Sequence, residues 1–107
     1  MERANHPIGY EFTDEREARD SAAELDRRFT NLELLGLRVY RIVWNGNFLV
    51  EATFDGNTPE ERISDARALL GESGSPVHPD DLADYRRATE SGSGLPGWMR
   101  RFFGEGR

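Results

Sequence analysis

Side chains that could act as nucleophiles or general bases are few and scattered in this 107-residue chain. Cysteine is absent, and His6 and His78 are the only histidines. The sequence has no Gly-x-Ser-x-Gly elbow, no Gly-rich phosphate loop and no His-Glu-x-x-His motif, which are local patterns that position catalytic groups. It therefore predicts neither catalysis nor a bound cofactor.

A possible cation site is the group formed by His78 and the carboxylates of Asp80, Asp81 and Asp84. Structural zinc needs four ligands and a hard divalent ion needs a converging set of oxygens, and this spacing dictates neither. The same residues, with Pro79 at the first helical position and acids in the first turn, are typical of a helix start. We interpret the stretch as a helix start and predict no metal site.

The strongest candidate for a binding element is a segment near the C-terminus that follows a Gly/Ser-rich run. It contains Trp98, Met99, Arg100, Arg101, Phe102 and Phe103. As a helix it would have about two turns, fewer than the ~12 residues at which isolated helices become marginally stable, so it requires a surface on which to fold. That surface could belong to this domain or a second copy, to another protein, or, through the arginines, to a membrane.

Residues 37–54 predict a β-hairpin whose two faces are both partly apolar. Asn45-Gly46 suits a two-residue type I′ turn, which needs positive φ at both central positions. One face then carries Tyr40, Ile42, Trp44 and Leu49. Because this is too much apolar surface to face water, we expect a partner, a second subunit or another part of the chain to cover it. Tyr40 and Trp44 are the candidate contact residues.

Arg41 falls on the opposite, core-facing side of the predicted hairpin. A buried guanidinium without a partner is very costly, so its side chain must reach the edge of the sheet or pair with an acid such as Asp20 or Glu24. Arg41 is also the candidate anion ligand in an alternative function, a small-ligand sensor or enzyme with a cleft between sheet and helices.

The remaining apolar periodicity predicts a strand from Ile8 and two amphipathic helices. The first helix is capped by Thr13 or Asp14, and its apolar stripe extends to Leu32. The second begins at the capping-box pattern of residues 58–61 and stops at Gly71 in a left-handed conformation.

These elements predict an α+β fold with a three-stranded antiparallel sheet and two helices on one face. The order β-α-β-β-α is a partial ferredoxin-like arrangement. A short polar third helix follows over about residues 79–88. We predict a single domain over residues 1–89, then a Gly/Ser linker and the aromatic, arginine-containing segment over residues 90–107.

Charge and composition narrow the class of function. With 20 acidic and 14 basic residues, the net charge of −6 argues against a generic nucleic-acid binder. No signal peptide or membrane span is predicted, so we expect a cytoplasmic protein. The resulting hypothesis is a small acidic protein–protein interaction module, an adaptor, regulator or inhibitor of a larger partner. We expect it to form a homodimer through the hairpin face or the sheet edge.

Overall fold

The computed structural model describes residues 4–90, with side chains through residue 86. It is an α+β fold with the elements β1 His6–Phe12, α1 Glu15–Arg28, β2 Leu34–Arg41, β3 Phe48–Phe54, α2 Glu60–Gly71, β4 Ser75–Val77 and α3 Pro79–Glu90. The strands form one antiparallel sheet in the order β2-β3-β1-β4.

The prediction of a three-stranded sheet was wrong, because β4 adds a fourth strand. This strand has only three residues and pairs with Gly9, Tyr10 and Glu11 of β1. Its central residue is Pro76, which lacks a backbone N–H and is tolerated in sheets only at edges, strand starts or bulges. A strand this short has too few residues to show the alternation by which the other strands were predicted.

The larger core lies between one face of the sheet and helices α1 and α2. Residues from β1, β2 and β3 meet the inward residues of both helices there, including Leu25, Phe29, Ile63 and Leu70. The ring of Phe29 packs edge-on against that of Phe54, with centroids 5.2 Å apart. The predicted placement of two helices on one face is therefore what the structure has.

Helix α1 begins as predicted but ends earlier. The Glu17 backbone N–H donates to the Asp14 side chain at 3.1 Å, which makes Asp14 the N-cap. The helix ends at Arg28, and the backbone N–H groups of Glu33 and Leu34 both donate to the Thr30 carbonyl in the turn that follows. Leu32 lies in this turn and is 84% exposed, so its predicted place in the apolar stripe was wrong.

Helix α2 lacks the predicted capping box. Pro59 occupies the N-cap position, and no side chain caps the helix. The Thr58 hydroxyl is buried and has no hydrogen-bond partner among the described residues. Gly71 is helical rather than left-handed, since Gly46 is the one described glycine with positive φ.

The β2–β3 connection is longer than the predicted two-residue turn. Arg41 pairs with Phe48, and residues 42–47 form the hairpin loop, closed by hydrogen bonds from Ile42 N to Asn47 O (2.7 Å) and from Gly46 N to Ile42 O (2.9 Å). Only Gly46 has positive φ, at 76°, so this is not a type I′ turn. The register shifts by two residues, which leaves the side chains of residues 37–41 and 48–54 on their predicted faces. Val43 and Trp44, predicted as strand residues, lie in the loop instead.

The second face of the sheet is covered by α3 of the same chain. Leu82 packs on Tyr40, Ile42 and Leu49 in a second, smaller core. A Cβ at position 9 would come within 2.3 Å of Leu82 Cδ2, so Gly9 lets α3 approach β1 closely. Of the three alternatives for covering this face, another part of the chain is the one observed, and a second copy is not required to bury it.

Candidate binding surface

Glu11 of β1 holds the hairpin loop and α3 together. Its Oε2 accepts hydrogen bonds from Asn45 Nδ2 at 2.8 Å and Asn47 Nδ2 at 2.6 Å, and its Oε1 accepts from the Tyr85 hydroxyl at 3.0 Å. Burial opposes ionisation of this carboxyl, but the three donors outweigh it and lower the pKa of Glu11 below its ordinary value of 4.5. The carboxylate thus fixes two residues of the loop and one of the helix.

Trp44 lies at the tip of this fixed loop and is 53% exposed. Its ring packs edge-on against Tyr85, with centroids 4.7 Å apart and planes at 69°. The loop is further closed by the Asn47 backbone N–H, which donates to Asn45 Oδ1 at 2.9 Å. Val43 beside it is also exposed. The loop therefore presents a large aromatic side chain to solvent in a defined orientation.

Tyr40, the other predicted contact residue on this face, is only 2% exposed. Its hydroxyl donates to Glu51 Oε1 at 3.5 Å, and Glu51 Oε2 forms an ion pair with Arg86 of α3. Burial, and then the charge of Glu51, raise the pKa of Tyr40 above its ordinary value. Tyr40 is thus part of the packing beneath α3, and Trp44 is the predicted contact residue that reaches the surface of the described domain.

Strand β2 forms one edge of the sheet, next to the hairpin loop. Leu35, at the bulge between Leu34 and Gly36, is 50% exposed, and Arg38 and Arg41 are also exposed. Arg41 forms no ion pair with Asp20 or Glu24, against the expectation, and Glu24 pairs with Arg27 and Arg28 instead. Arg41 lies at the end of its strand, where its side chain reaches solvent, and its role in anion binding stays a prediction.

A cleft of about 240 Å³ between α1 and α2 is lined by Arg28, Phe29, Arg62, Asp65, Ala68, Leu69 and Glu72. Arg62 is already engaged there. Its Nε and Nη2 each donate to a different oxygen of Glu33 at 2.9 Å, and its guanidinium carbon lies 4.3 Å from the centroid of the Phe29 ring. Hydrogen bonds from Arg62, followed by the Thr30 backbone N–H, lower the pKa of Glu33 to about 2. This cleft therefore contains a satisfied ion pair rather than a free anion-binding cation.

The predicted helix start at His78 forms, and the Asp80 backbone N–H donates to His78 Nδ1 at 3.1 Å. Within the described chain, no group of three or more acidic, histidine or cysteine side chains is arranged to hold a metal ion. No helix in residues 4–90 is both long and apolar enough to cross a membrane.

The predicted C-terminal contact residues Trp98, Met99, Arg100, Arg101, Phe102 and Phe103 lie outside the described residues. Their role in partner binding stays a prediction.

Sequence reasoning missed the residues that hold α3 and the loop in place. Two acids, Glu11 and Glu51, interrupt otherwise apolar strands on the second face. Leu82, Tyr85 and Arg86 follow at i, i+3 and i+4 spacing in the third helix, which is the spacing of one helical face. Considered together, these two patterns could have indicated that the third helix packs on that face through polar anchors.

Comparison with known proteins gives no match to a family model, to a curated protein or to a solved structure.

Proposed function

We propose that this chain is a protein-binding module, an adaptor, regulator or inhibitor without catalysis of its own, with Trp44 as its principal contact residue in the described domain. The observation that carries the proposal is a half-exposed tryptophan on a loop held by Glu11, Tyr85 and its own backbone hydrogen bonds. Tryptophan is among the residues most enriched at the energetic centres of protein interfaces.

The rigidity of the loop supports this interpretation. A side chain already ordered in the free protein loses less conformational entropy when a partner binds it. The Trp44 ring is restrained by its contact with Tyr85, and the side chains of Asn45 and Asn47 are held by Glu11. The loop backbone is held by its own hydrogen bonds. The neighbouring Val43 extends the apolar contact area.

The polar groups of the domain also favour a binding module over an enzyme. Glu11, Glu33 and Glu51 each accept hydrogen bonds from side chains of the same domain. Carboxylates with such partners have a structural role that accounts for their position, whereas a general acid or base needs access to a substrate.

The C-terminal residues Trp98, Met99, Phe102 and Phe103 are proposed as a second, tethered contact, with Arg100 and Arg101 orienting it. Two linked contacts can strengthen binding well beyond either one alone, because the second contact forms at a high effective concentration. The domain itself is proposed to be a ferredoxin-like variant. The element order β-α-β-β-α-β and the sheet order β2-β3-β1-β4 support this, with α3 as an added cover.

Photo-crosslinking tests the proposal in cells that naturally produce the protein. A photoreactive phenylalanine analogue replaces Val43 beside Trp44, and in the control it replaces Asp65, an exposed residue of α2. We expect a discrete protein adduct from position 43 that is absent from position 65 and that weakens when Trp44→Ala is introduced. Truncation after Ser91 should reduce the adduct and leave the fold intact.

The same crosslinking yield from positions 43 and 65, or an adduct whose yield is unchanged by Trp44→Ala, would contradict the proposal.

A thermal-shift screen against phosphates, nucleotides and carboxylic acids tests the sensor alternative, because a ligand that binds only the folded state raises the melting temperature. A shift that is lost in Arg41→Ala would favour that alternative.

A further inference from the structure

We infer that the open edge of β2 is a second part of the binding surface, and that it takes an extended acidic segment of the partner as an added strand of the sheet. The inference rests on the proposed interaction function. It adds to that proposal the extended conformation and the acidic character of the bound segment.

The backbone of β2 supplies unpaired hydrogen-bonding groups along this edge. In an antiparallel pair, hydrogen-bonded and non-hydrogen-bonded residue pairs alternate. Ile42 N donates to Asn47 O, so residues 36, 38, 40 and 42 direct their backbone groups toward β3. Leu37, Val39 and Arg41 therefore direct their N–H and C=O groups away from β3, and no described strand lies on that side. These groups can pair with an added strand.

The two edges of the sheet differ in how well they are protected. The β4 edge has three residues, and one of them is Pro76. The β2 edge has eight residues and contains no proline, and the bulge between Leu34 and Gly36 affects only its beginning. Short strands and proline are common means of preventing unwanted strand pairing. The longer edge is thus the one open to a partner.

The side chains along β2 indicate an acidic partner segment. Arg38 and Arg41 are exposed on this edge strand, and no described acid forms an ion pair with either. Glu51, the cross-strand neighbour of Arg38, is already paired with Arg86. Exposed apolar residues stand at the two ends, Leu35 at the start and Val43 after the last strand residue. Arg38 and Arg41 are three positions apart and lie on opposite faces of the sheet. An extended segment with two acidic residues at the same spacing, one on each face of the added strand, would complement them.

Charge argues against two other occupants. A second copy paired antiparallel through β2 would bring four arginines, two from each chain, into one short stretch, and like charges in close opposition weaken strand pairing. The chain's own C-terminal segment carries Arg100 and Arg101, which the arginines of β2 would repel.

The test uses the full chain as bait for a displayed library of random twelve-residue peptides. We expect enriched peptides with two acidic residues three positions apart, which places one on each face of an added strand. Amide hydrogen exchange of the ¹⁵N-labelled chain should then slow at Leu37, Val39 and Arg41 on peptide binding, with little change at Arg38 and Tyr40. That alternation distinguishes an added strand from contact with the loop alone.

Two variants separate the backbone contribution from the charge contribution. Arg41→Pro removes both the charge and a backbone N–H that points away from β3, whereas Arg41→Gln removes only the charge. The proline should not disrupt the sheet, because proline is tolerated at an edge where the N–H points to solvent. We expect Arg41→Pro to weaken peptide binding by at least about tenfold, and by more than Arg41→Gln does. The double variant Arg38→Gln/Arg41→Gln, which needs no proline, should also bind more weakly and lose most of the salt dependence.

Enriched peptides without acidic residues, or affinity unaffected by both Arg41→Pro and the double variant, would overturn the inference. Slow exchange at Leu37, Val39 and Arg41 in a dimeric peptide-free chain would overturn it in favour of a second copy. The edge inference alone fails if these edge tests are negative while position 43 still crosslinks to a partner and that crosslink requires Trp44. If the crosslink also fails, the proposed function fails with it.

Discussion

The ion pair between Glu51 and Arg86 should be a main support for α3 on the sheet. Glu51 is 4% exposed, and its other described hydrogen-bond partner is the Tyr40 hydroxyl at the long distance of 3.5 Å. Arg86→Met removes the charge and keeps much of the side-chain length. It leaves a carboxylate that is buried and poorly compensated.

The expected loss follows from the burial of the two partners. Breaking a fully buried pair by removing one partner costs about 3–5 kcal/mol, and a hydrogen bond to a charged group contributes about 1.5–3 kcal/mol. The Arg86 side chain is 43% exposed, so water can reach the site and part of the cost is recovered. We therefore expect Arg86→Met to lower the free energy of unfolding by about 2–3 kcal/mol. Glu51→Gln in the Arg86→Met background should restore about 1 kcal/mol or more, because an amide is cheaper to bury than an unpaired charge.

Urea unfolding followed by tryptophan fluorescence measures these changes. Trp98→Phe serves as the common background, so that Trp44, which packs on Tyr85 of α3, is the sole tryptophan. A loss below about 0.5 kcal/mol for Arg86→Met, typical of an exposed ion pair, would refute the reasoning. The reasoning would also be refuted if the double variant Arg86→Met/Glu51→Gln were no more stable than Arg86→Met. The buried carboxylate of Glu51 would then not be the source of the lost stability.

Three further predictions test the local interpretation of the fold. Thr58→Val should leave the urea midpoint unchanged or raise it, because the buried hydroxyl has no described partner, whereas a true N-cap would lose about 1 kcal/mol. Gly74→Ala should destabilise by about 1–3 kcal/mol, since its Cβ would lie 2.7 Å from the Phe12 ring. Gly71→Ala is the matched control in the same measurement, and because its Cβ would have an ordinary 3.7 Å contact in a helix, it should be neutral or stabilising. Glu33 has a folded-state pKa of about 2, so its stabilising contribution is present above its ordinary value of 4.5 and is lost as the pH falls toward 2. Glu33→Gln should therefore reduce the fall of the urea midpoint over that pH window, and parallel pH profiles for the two proteins would contradict this.

The main elements of the fold could be predicted from the sequence because their apolar periodicity is strong. Helix α1, the hairpin strands and α2 each have inward residues at regular spacing. The details that failed are those decided by tertiary contacts. Asn45 does not adopt positive φ, and its side-chain amide instead binds Glu11, 34 positions earlier in the chain. Local turn preference contains no information about such a distant partner.

The candidate surface could be predicted only in part. The apolar second face was identified, but its cover was not, since α3 offers only Leu82 and Tyr85 as large apolar residues and reads as a polar helix. Its contact depends on Gly9, on the half-buried Glu11 of β1 and on the buried Glu51 of β3. The role of these two acids is clear only once the strands are adjacent. Trp44 was assigned to the correct face, and its exposure depends on the longer loop.

The central claim is that Trp44 on its fixed loop is the contact residue for a protein partner. The most direct measurement is the yield of the photo-crosslink from position 43 in the chain with Trp44 and in the Trp44→Ala chain, compared at equal expression. We expect the yield to fall by about tenfold, as for an interface residue whose truncation costs about 1.4 kcal/mol. Equal yields from two folded chains would contradict the claim.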